Sequence, residues 1–223
     1  MPTLVTVAHG TRHAPGNKVA RALTQRCARG LDVPGVASYV ELCAPSFASV
    51  IAAATGPTVV VPLLLSTGHH VRHDLPAALA GARHPVSLAP PLGPDPVLAV
   101  AQATRLVEAG ARPGQPVVLV AAGSTDPAAD ADLEEARRLL GEMWAGPVEV
   151  ATLSGRGRRP ADVVRPGVAV SPYLLSPGFF ARRARAEGLA AGADTVAEVI
   201  GVQECVADLV AERFLGRVRR VAA

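Results

Sequence analysis

The side chains best able to do chemistry in this chain sit in three short stretches. His9 ends an apolar run in Val7-Ala8-His9-Gly10-Thr11-Arg12, Glu41 follows a second apolar run, and a third, residues 59–65, leads into Ser66-Thr67-Gly68-His69-His70-Val71-Arg72-His73-Asp74. Four of the six histidines lie in the first and third stretches. Neutral imidazoles ligate divalent transition metals and also accept protons, and a carboxylate adds a base or a harder ligand. A structural zinc site closes around four ligands. His9, one imidazole of the His69-His70 pair, and Glu41 make an open set, which suits a metal that passes through or acts catalytically. Adjacent histidines on an extended segment point opposite ways, so only one of that pair can face the site. His13, His73 and His84 read as rim or surface groups, and Asp74 reads as a helix cap.

Bringing these groups together requires parallel strands that end on one edge, the edge of open α/β sheets where ligands bind. The pattern predicts strands at residues 4–8, 36–42 and 59–65, with a fourth starting at 86–88. Helices are predicted at 16–28, where Val19, Leu23 and Cys27 keep helical spacing, and at 46–54, 74–79 and 95–109. The same order then recurs: a strand at 117–120, a helix at 130–142, strands at 148–153, 168–175 and 194–200, and a helix at 203–215. The Pro/Gly-rich Gly110-Ala111-Arg112-Pro113-Gly114-Gln115-Pro116 separates the halves. Two similar α/β domains are expected, 1–112 and 113–223, each a small parallel sheet flanked by helices, with a cleft between them.

The repeat is visible residue by residue. Val7-Ala8-His9-Gly10-Thr11 lies over Val120-Ala121-Ala122-Gly123-Ser124, and Pro62-Leu63-Leu64-Leu65-Ser66-Thr67-Gly68-His69-His70-Val71-Arg72 lies over Pro172-Tyr173-Leu174-Leu175-Ser176-Pro177-Gly178-Phe179-Phe180-Ala181-Arg182. On this alignment His9 meets Ala122, His69 and His70 meet Phe179 and Phe180, and Glu41 meets Thr152. The glycines persist because the turn leaving a strand needs their backbone freedom. The chemistry is therefore expected in the N-terminal domain, with a degenerate C-terminal domain shaping a wall of the cleft.

Composition narrows the classes. The chain has 223 residues, 49% hydrophobic but only 3% aromatic, so its core must be Ala, Val and Leu, as in parallel α/β sheets. A net charge of +3 is too small to point to nucleic acid. Lys18 is the only lysine, and arginine suits bidentate recognition of carboxylates. Cys27, Cys43 and Cys205 are odd in number and form no Cys-x-x-Cys pair. That argues for a reducing compartment, the cytoplasm, and against a zinc ribbon. Met1-Pro2-Thr3 lacks the basic segment of a signal peptide. No stretch approaches 18 uninterrupted apolar residues, so no membrane span is expected. The chain has no P-loop, no Gly-x-Gly-x-x-Gly after the first strand and no Gly-x-Ser-x-Gly elbow. Histidine phosphatases need an arginine where Ala8 stands, so their phosphate clamp is missing.

Taken in order, the motifs resemble those of the sirohydrochlorin chelatases, the class II cobalt- and ferrochelatase group, in its long two-domain form. That family carries His-Gly-Ser/Thr-Arg after its first strand, here His9-Gly10-Thr11-Arg12. An acidic-Leu-x-x-Pro-Ser segment stands here as Glu41-Leu42-Cys43-Ala44-Pro45-Ser46. Gly-x-His-Val-x-x-Asp-Ile/Leu-Pro stands as Gly68-His69-His70-Val71-Arg72-His73-Asp74-Leu75-Pro76, and Ala122-Gly123-Ser124-Thr125-Asp126-Pro127 resembles the opening of the second half.

The resemblance implies catalytic, metal-holding histidines at His9 and His70, the choice of His70 over His69 following the family pattern, and a catalytic acid at Glu41. It implies a polycarboxylate tetrapyrrole substrate, sirohydrochlorin, contacted by Thr11, Arg12, Ser66, Gly68, Arg72 and Arg182. It implies no organic cofactor and a divalent metal as co-substrate: Fe2+ first, for siroheme, with Co2+ or Ni2+ as alternatives. Phe179 and Phe180 could offer the macrocycle an apolar face. A cobaltochelatase of cobalamin synthesis, or a non-catalytic carrier of metal or tetrapyrrole, is the alternative. No nucleic acid or membrane partner is expected, and a monomer suffices.

Overall fold

The computed structural model describes residues 1–68 and 70–221. It contains two four-stranded parallel sheets. In the first, β1 (Thr3–Ala8), β2 (Gly35–Tyr39), β3 (Thr58–Pro62) and β4 (Val86–Leu88) lie in the order β2-β1-β3-β4. In the second, β5 (Val117–Ala121), β6 (Val148–Thr152), β7 (Ala169–Tyr173) and β8 (Thr195–Val196) lie in the order β6-β5-β7-β8. In each sheet the chain steps from the first strand to one side and then crosses to the other. The C-terminal ends of the central strands are therefore topological switch points, where α/β sheets hold their ligands.

The first sheet is covered on both faces, which explains its nearly unbroken apolar strands. Val5, Val7 and Val60 pack with Phe47 and Ile51 of α2 (Phe47–Ala52) and Leu75 of α3 (Leu75–Leu79). Thr6, pointing the other way, meets Thr24 of α1 (Ala14–Leu31) through hydroxyls 2.6 Å apart, and Thr24 also donates to the carbonyl of Ala20 at 2.7 Å. Ser46 caps α2 by accepting from the Ser49 amide at 3.2 Å.

The chain divides into two compact units, Met1–Leu92 with Val202–Ala223, and Gly93–Gly201. This differs from the expected division at residue 112. The boundary moves because each half of the sequence gives its last helix to the other unit. Beyond Gly93-Pro94-Asp95, α4 (Pro96–Glu108) packs on β7 and on α5 (Ala128–Trp144). Its buried Gln102 donates to Ser171 Oγ at 2.8 Å, and Leu98, Ala101 and Leu106 are fully buried. In turn α8 (Glu204–Val221) packs on α1, β3 and β4, with Val206, Leu209, Val210 and Phe214 buried. Arg213 Nε donates to the carbonyl of Pro91 at 3.3 Å. The sequence repeat and the packing unit thus have different limits.

The second unit holds two helices the pattern did not predict, α6 (Pro160–Val163) and α7 (Phe179–Ala190). The arginine-rich α7 has only Ala184 and Gly188 fully buried, so it lacks a hydrophobic stripe legible in sequence. Among the described residues no helix is long and apolar enough to cross a membrane.

Candidate metal centre

His9 follows Ala8, the last residue of β1, directly. Strand β2 ends at Tyr39, three residues short of the expected end, and Glu41 lies just beyond it. The two ends are stitched together: the Val40 amide donates to the Ala8 carbonyl at 2.9 Å and the Glu41 amide to the His9 carbonyl at 3.0 Å. Gly10, at φ 95°, makes this approach possible. A Cβ there would lie 1.9 Å from the Glu41 carbonyl oxygen, closer than any side chain can come. Leu42 adopts φ 67°, a conformation costing a residue with a Cβ on the order of 1 kcal/mol. That turn redirects the chain immediately after Glu41.

A polar network holds the His9 loop from beneath. The Thr11 amide donates to Asn17 Oδ1 at 3.1 Å, and Asn17 Nδ2 donates to the Thr11 carbonyl at 2.7 Å. The Tyr39 hydroxyl donates to the Asn17 carbonyl at 3.0 Å, and burial pushes the Tyr39 pKa up, so the phenol stays a donor. Asn17 and Tyr39 are both buried. Neither belongs to a metal-ligand pattern, so reading motifs alone passes over them. Thr11 Oγ1 accepts from the His13 amide at 3.1 Å and closes the turn into α1.

His70 arrives differently from the expectation. Strand β3 stops at Pro62, and His70 opens a π-helical turn, His70–Asp74, that runs into α3. The segment is not extended at His70, so alternation does not decide where its ring points; His69 lies outside the described residues. Single π turns are rare and concentrate at functional sites. Asp74 does not cap α3 with its side chain. Its Oδ2 lies 2.5 Å from His70 Nδ1.

The result is a cluster within the first unit. Candidate ligand atoms of His9, Glu41 and His70 all lie within 4.8 Å of one another. His9 Nε2 is 3.2 Å from Glu41 Oε1, and the two imidazoles meet edge to face with centroids 4.8 Å apart. Two nitrogens bound about 2.1 Å from one ion can be no more than about 4.2 Å apart. With atoms up to 4.8 Å apart, the set could hold an ion after a small inward rotation of the half-exposed His9 and Glu41 side chains. His9 Nδ1 lies 3.2 Å from the Gly10 carbonyl. His9 thus has an oxygen beside each ring nitrogen, whereas His70 has the Asp74 carboxylate beside Nδ1, and a neutral ring that donates from Nδ1 presents its Nε2 lone pair. Three such ligands would leave coordination positions open for exchange.

The remaining predicted residues are divided between the two units. Arg12 and Arg72 are exposed. Ser66 and Gly68 lie in the connection from β3, and the Gly68 carbonyl accepts from the Arg72 amide at 3.2 Å. In the second unit the Gly178 carbonyl accepts from the exposed Arg182 at 3.1 Å, the same bond at the equivalent place. Cys27 takes no part: it is buried in the first unit, and burial pushes its thiol up to about 11.

Register corrects one pairing in the repeat. Ala8 pairs with Tyr39 in the first sheet and Ala121 with Thr152 in the second, so Thr152 is the counterpart of Tyr39. The counterpart of Glu41 is Ser154: a Cβ on Gly123 would lie 2.0 Å from the Ser154 carbonyl oxygen, repeating the Gly10–Glu41 approach. At this place the second unit is filled by Arg159, whose guanidinium donates to the carbonyls of Thr152, Ser154 and Gly155 at 3.1, 3.2 and 2.7 Å. Phe180, in the place of His70, packs against that unit's apolar core. Phe179 is 58% exposed and stacks edge to face on Phe180, with the Arg183 guanidinium 5.7 Å from its ring centre. The second unit keeps the scaffold and has none of the three cluster ligands.

The CbiX family model matches residues 3–109 and again residues 116–216. The chain belongs to the CbiX family. Its two matches coincide with the two sequence repeats rather than with the two packing units. Among its relatives, the sirohydrochlorin ferrochelatase of Priestia megaterium is 33% identical over 152 residues, covering 63% of this chain and 57% of that protein. This chain therefore spans less than two thirds of that relative's length. The fold is similar along the whole chain to SirB from Bacillus subtilis with Fe3+, at TM-score 0.77 and 27% identity, with 96% of that chain covered. The sirohydrochlorin chelatase SirB from Bacillus subtilis subspecies spizizenii in complex with cobalt matches equally, at TM-score 0.77, 27% identity and coverage of 100% and 96%.

Proposed function

We propose that this protein is a sirohydrochlorin chelatase that inserts a divalent metal, Fe2+ first, into sirohydrochlorin in siroheme synthesis. The observation that carries the reading is the convergence of His9, Glu41 and His70 at the switch-point edge of the first sheet in a CbiX-family chain. Insertion replaces the two pyrrole N–H protons of the ring by the metal and releases two protons. In this reading His9 and His70 hold the incoming ion through neutral ring nitrogens and replace part of its hydration shell. Glu41, 3.2 Å from His9, offers a carboxylate that accepts a proton or shares the ion until the ring takes it. Co2+ is the second candidate, because imidazole and carboxylate ligands suit both ions and the cobalt complex of SirB shares this fold.

The reading is tested by mixing sirohydrochlorin with Fe2+ or Co2+ and a small amount of the protein, and following the visible spectrum. Many turnovers per protein support it. A spectral change that saturates at one equivalent identifies a carrier of metal or tetrapyrrole instead.

Arg12, Arg72 and Arg182 are proposed to meet the substrate carboxylates, with Thr11, Ser66 and Gly68 shaping the loops beside them. All three arginines are exposed, and an exposed arginine–carboxylate pair is worth about 1 kcal/mol or less. Replacing any one with Gln is expected to raise KM up to about five-fold with kcat nearly unchanged, and the difference should shrink as salt is raised. Steady-state kinetics at two ionic strengths measure this. An unchanged KM in all three variants removes these residues from the substrate contact.

A further inference from the structure

We propose that Asp74 is a positioning residue that fixes the ring orientation and tautomer of His70, and so sets the affinity of the His9–Glu41–His70 cluster for a divalent ion. The proposal rests on the metal-handling reading above. Its first support is contact: Asp74 Oδ2 lies 2.5 Å from His70 Nδ1, across one π turn. A carboxylate accepts and cannot donate, so this contact puts the proton of a neutral His70 on Nδ1 and leaves Nε2 as the lone-pair nitrogen. The second support is burial. The His70 side chain is 29% exposed, against 48% for His9. A partly buried ring held at one nitrogen is a better-aimed ligand than a free one.

The third support comes from the repeat. The Gly68–Arg72 backbone bond recurs in the second unit as the Gly178–Arg182 bond, with lengths of 3.2 and 3.1 Å, although the first belongs to a π turn and the second to the α-helix α7. The counterpart of Asp74 there is the fully buried Ala184. That backbone bond therefore forms without an acid at this position. Phe180 stands where His70 would be, so the half without the imidazole also lacks its carboxylate. The acid accompanies the imidazole, which is the pattern of a partner to His70. A residue needed only for that backbone bond would be present in both halves.

The test uses the full chain and Co2+ alone as probe. Visible absorption gives the Co2+ affinity, and long-range 1H–15N correlation of the imidazoles gives the tautomers. Asp74→Ala is expected to weaken Co2+ binding by about 10- to 100-fold and to move the proton of His70 from Nδ1 toward Nε2. Asp74→Asn keeps an acceptor in the same place, so it should retain the Nδ1–H tautomer and lose only a few-fold in affinity. Wild-type affinity in Asp74→Ala overturns the proposal, and so does weakened binding with the His70 tautomer unchanged, which marks a merely structural role. If Asp74→Ala does not fold, Asp74→Asn decides: retained tautomer with a few-fold loss supports the proposal, and unchanged affinity overturns it. His9→Ala and His70→Ala run alongside. If neither weakens Co2+ binding, the metal centre itself is wrong. If both do and Asp74→Ala does not, only the role of Asp74 falls.

Discussion

Replacing His9 or His70 with alanine is expected to lower kcat/KM for metal insertion by two to four orders of magnitude, about 3–5 kcal/mol of lost transition-state stabilisation. Each substitution takes one nitrogen from the three candidate ligands, His9, Glu41 and His70, that come together among the described residues. The fold should survive. His9 is about half exposed and His70 is outside the apolar core, so neither truncation opens a buried cavity. Circular dichroism and thermal unfolding should match the wild type while insertion of Fe2+ or Co2+ is nearly lost. Activity within ten-fold of wild type in either variant would remove that histidine from the chemistry.

Gly10→Ala is expected to damage both stability and activity, and Gly123→Ala only stability. The new methyl would sit 1.9 Å from the Glu41 carbonyl oxygen in the first case and 2.0 Å from the Ser154 carbonyl oxygen in the second. Both glycines hold positive φ, 95° and 90°. Relief requires the first strand's exit loop to move off the second's. Overpacking of this kind costs about 1–3 kcal/mol, and the backbone strain adds about 1–2 kcal/mol. Each variant should therefore melt roughly 10 °C lower. Only at Gly10 does the displaced carbonyl belong to a candidate ligand, with another, His9, next door. A shift of even 1 Å there is enough to cost about 100-fold in rate. Melting curves and insertion assays on the pair decide the matter. A Gly123→Ala variant that loses activity as severely as Gly10→Ala would show that the catalytic geometry depends equally on the second unit's loop.

Local patterns announce themselves when burial imposes them. Strand β1 and strand β5 are flanked on both faces, so their apolar runs are nearly continuous and their starts and ends are legible to within a residue or two. The repeat was legible for a related reason: the turns after β1 and β5 both need a glycine where a carbonyl approaches within bonding range of any Cβ. Helix α7 was not legible, because its stability comes from two small buried residues and its partner strands rather than from an apolar stripe. The alignment of Glu41 with Thr152 failed for want of register. Both strands β2 and β6 read as apolar runs, and only the pairings Ala8–Tyr39 and Ala121–Thr152 show that the counterpart of Glu41 is two residues later.

The candidate chemical groups were legible in the sequence alone. His9, Glu41 and His70 could be named from residue type, strand order and family motif, because parallel β-α-β connections carry every strand end to one edge. So was the asymmetry of the halves, since Ala122 and Phe180 cannot bind a metal through a side-chain lone pair. The tertiary structure decided three other things. It exchanged α4 and α8 between the units, because a helix packs where its apolar face finds a complementary sheet. It moved His70 off the strand and onto a π turn, so that Asp74 meets its ring instead of capping the next helix. It also placed Asn17 and Tyr39 beneath the His9 loop. Each of these depends on contacts between residues that spacing along the chain does not relate, and hydrogen-bond geometry exists only once the backbone has closed around them.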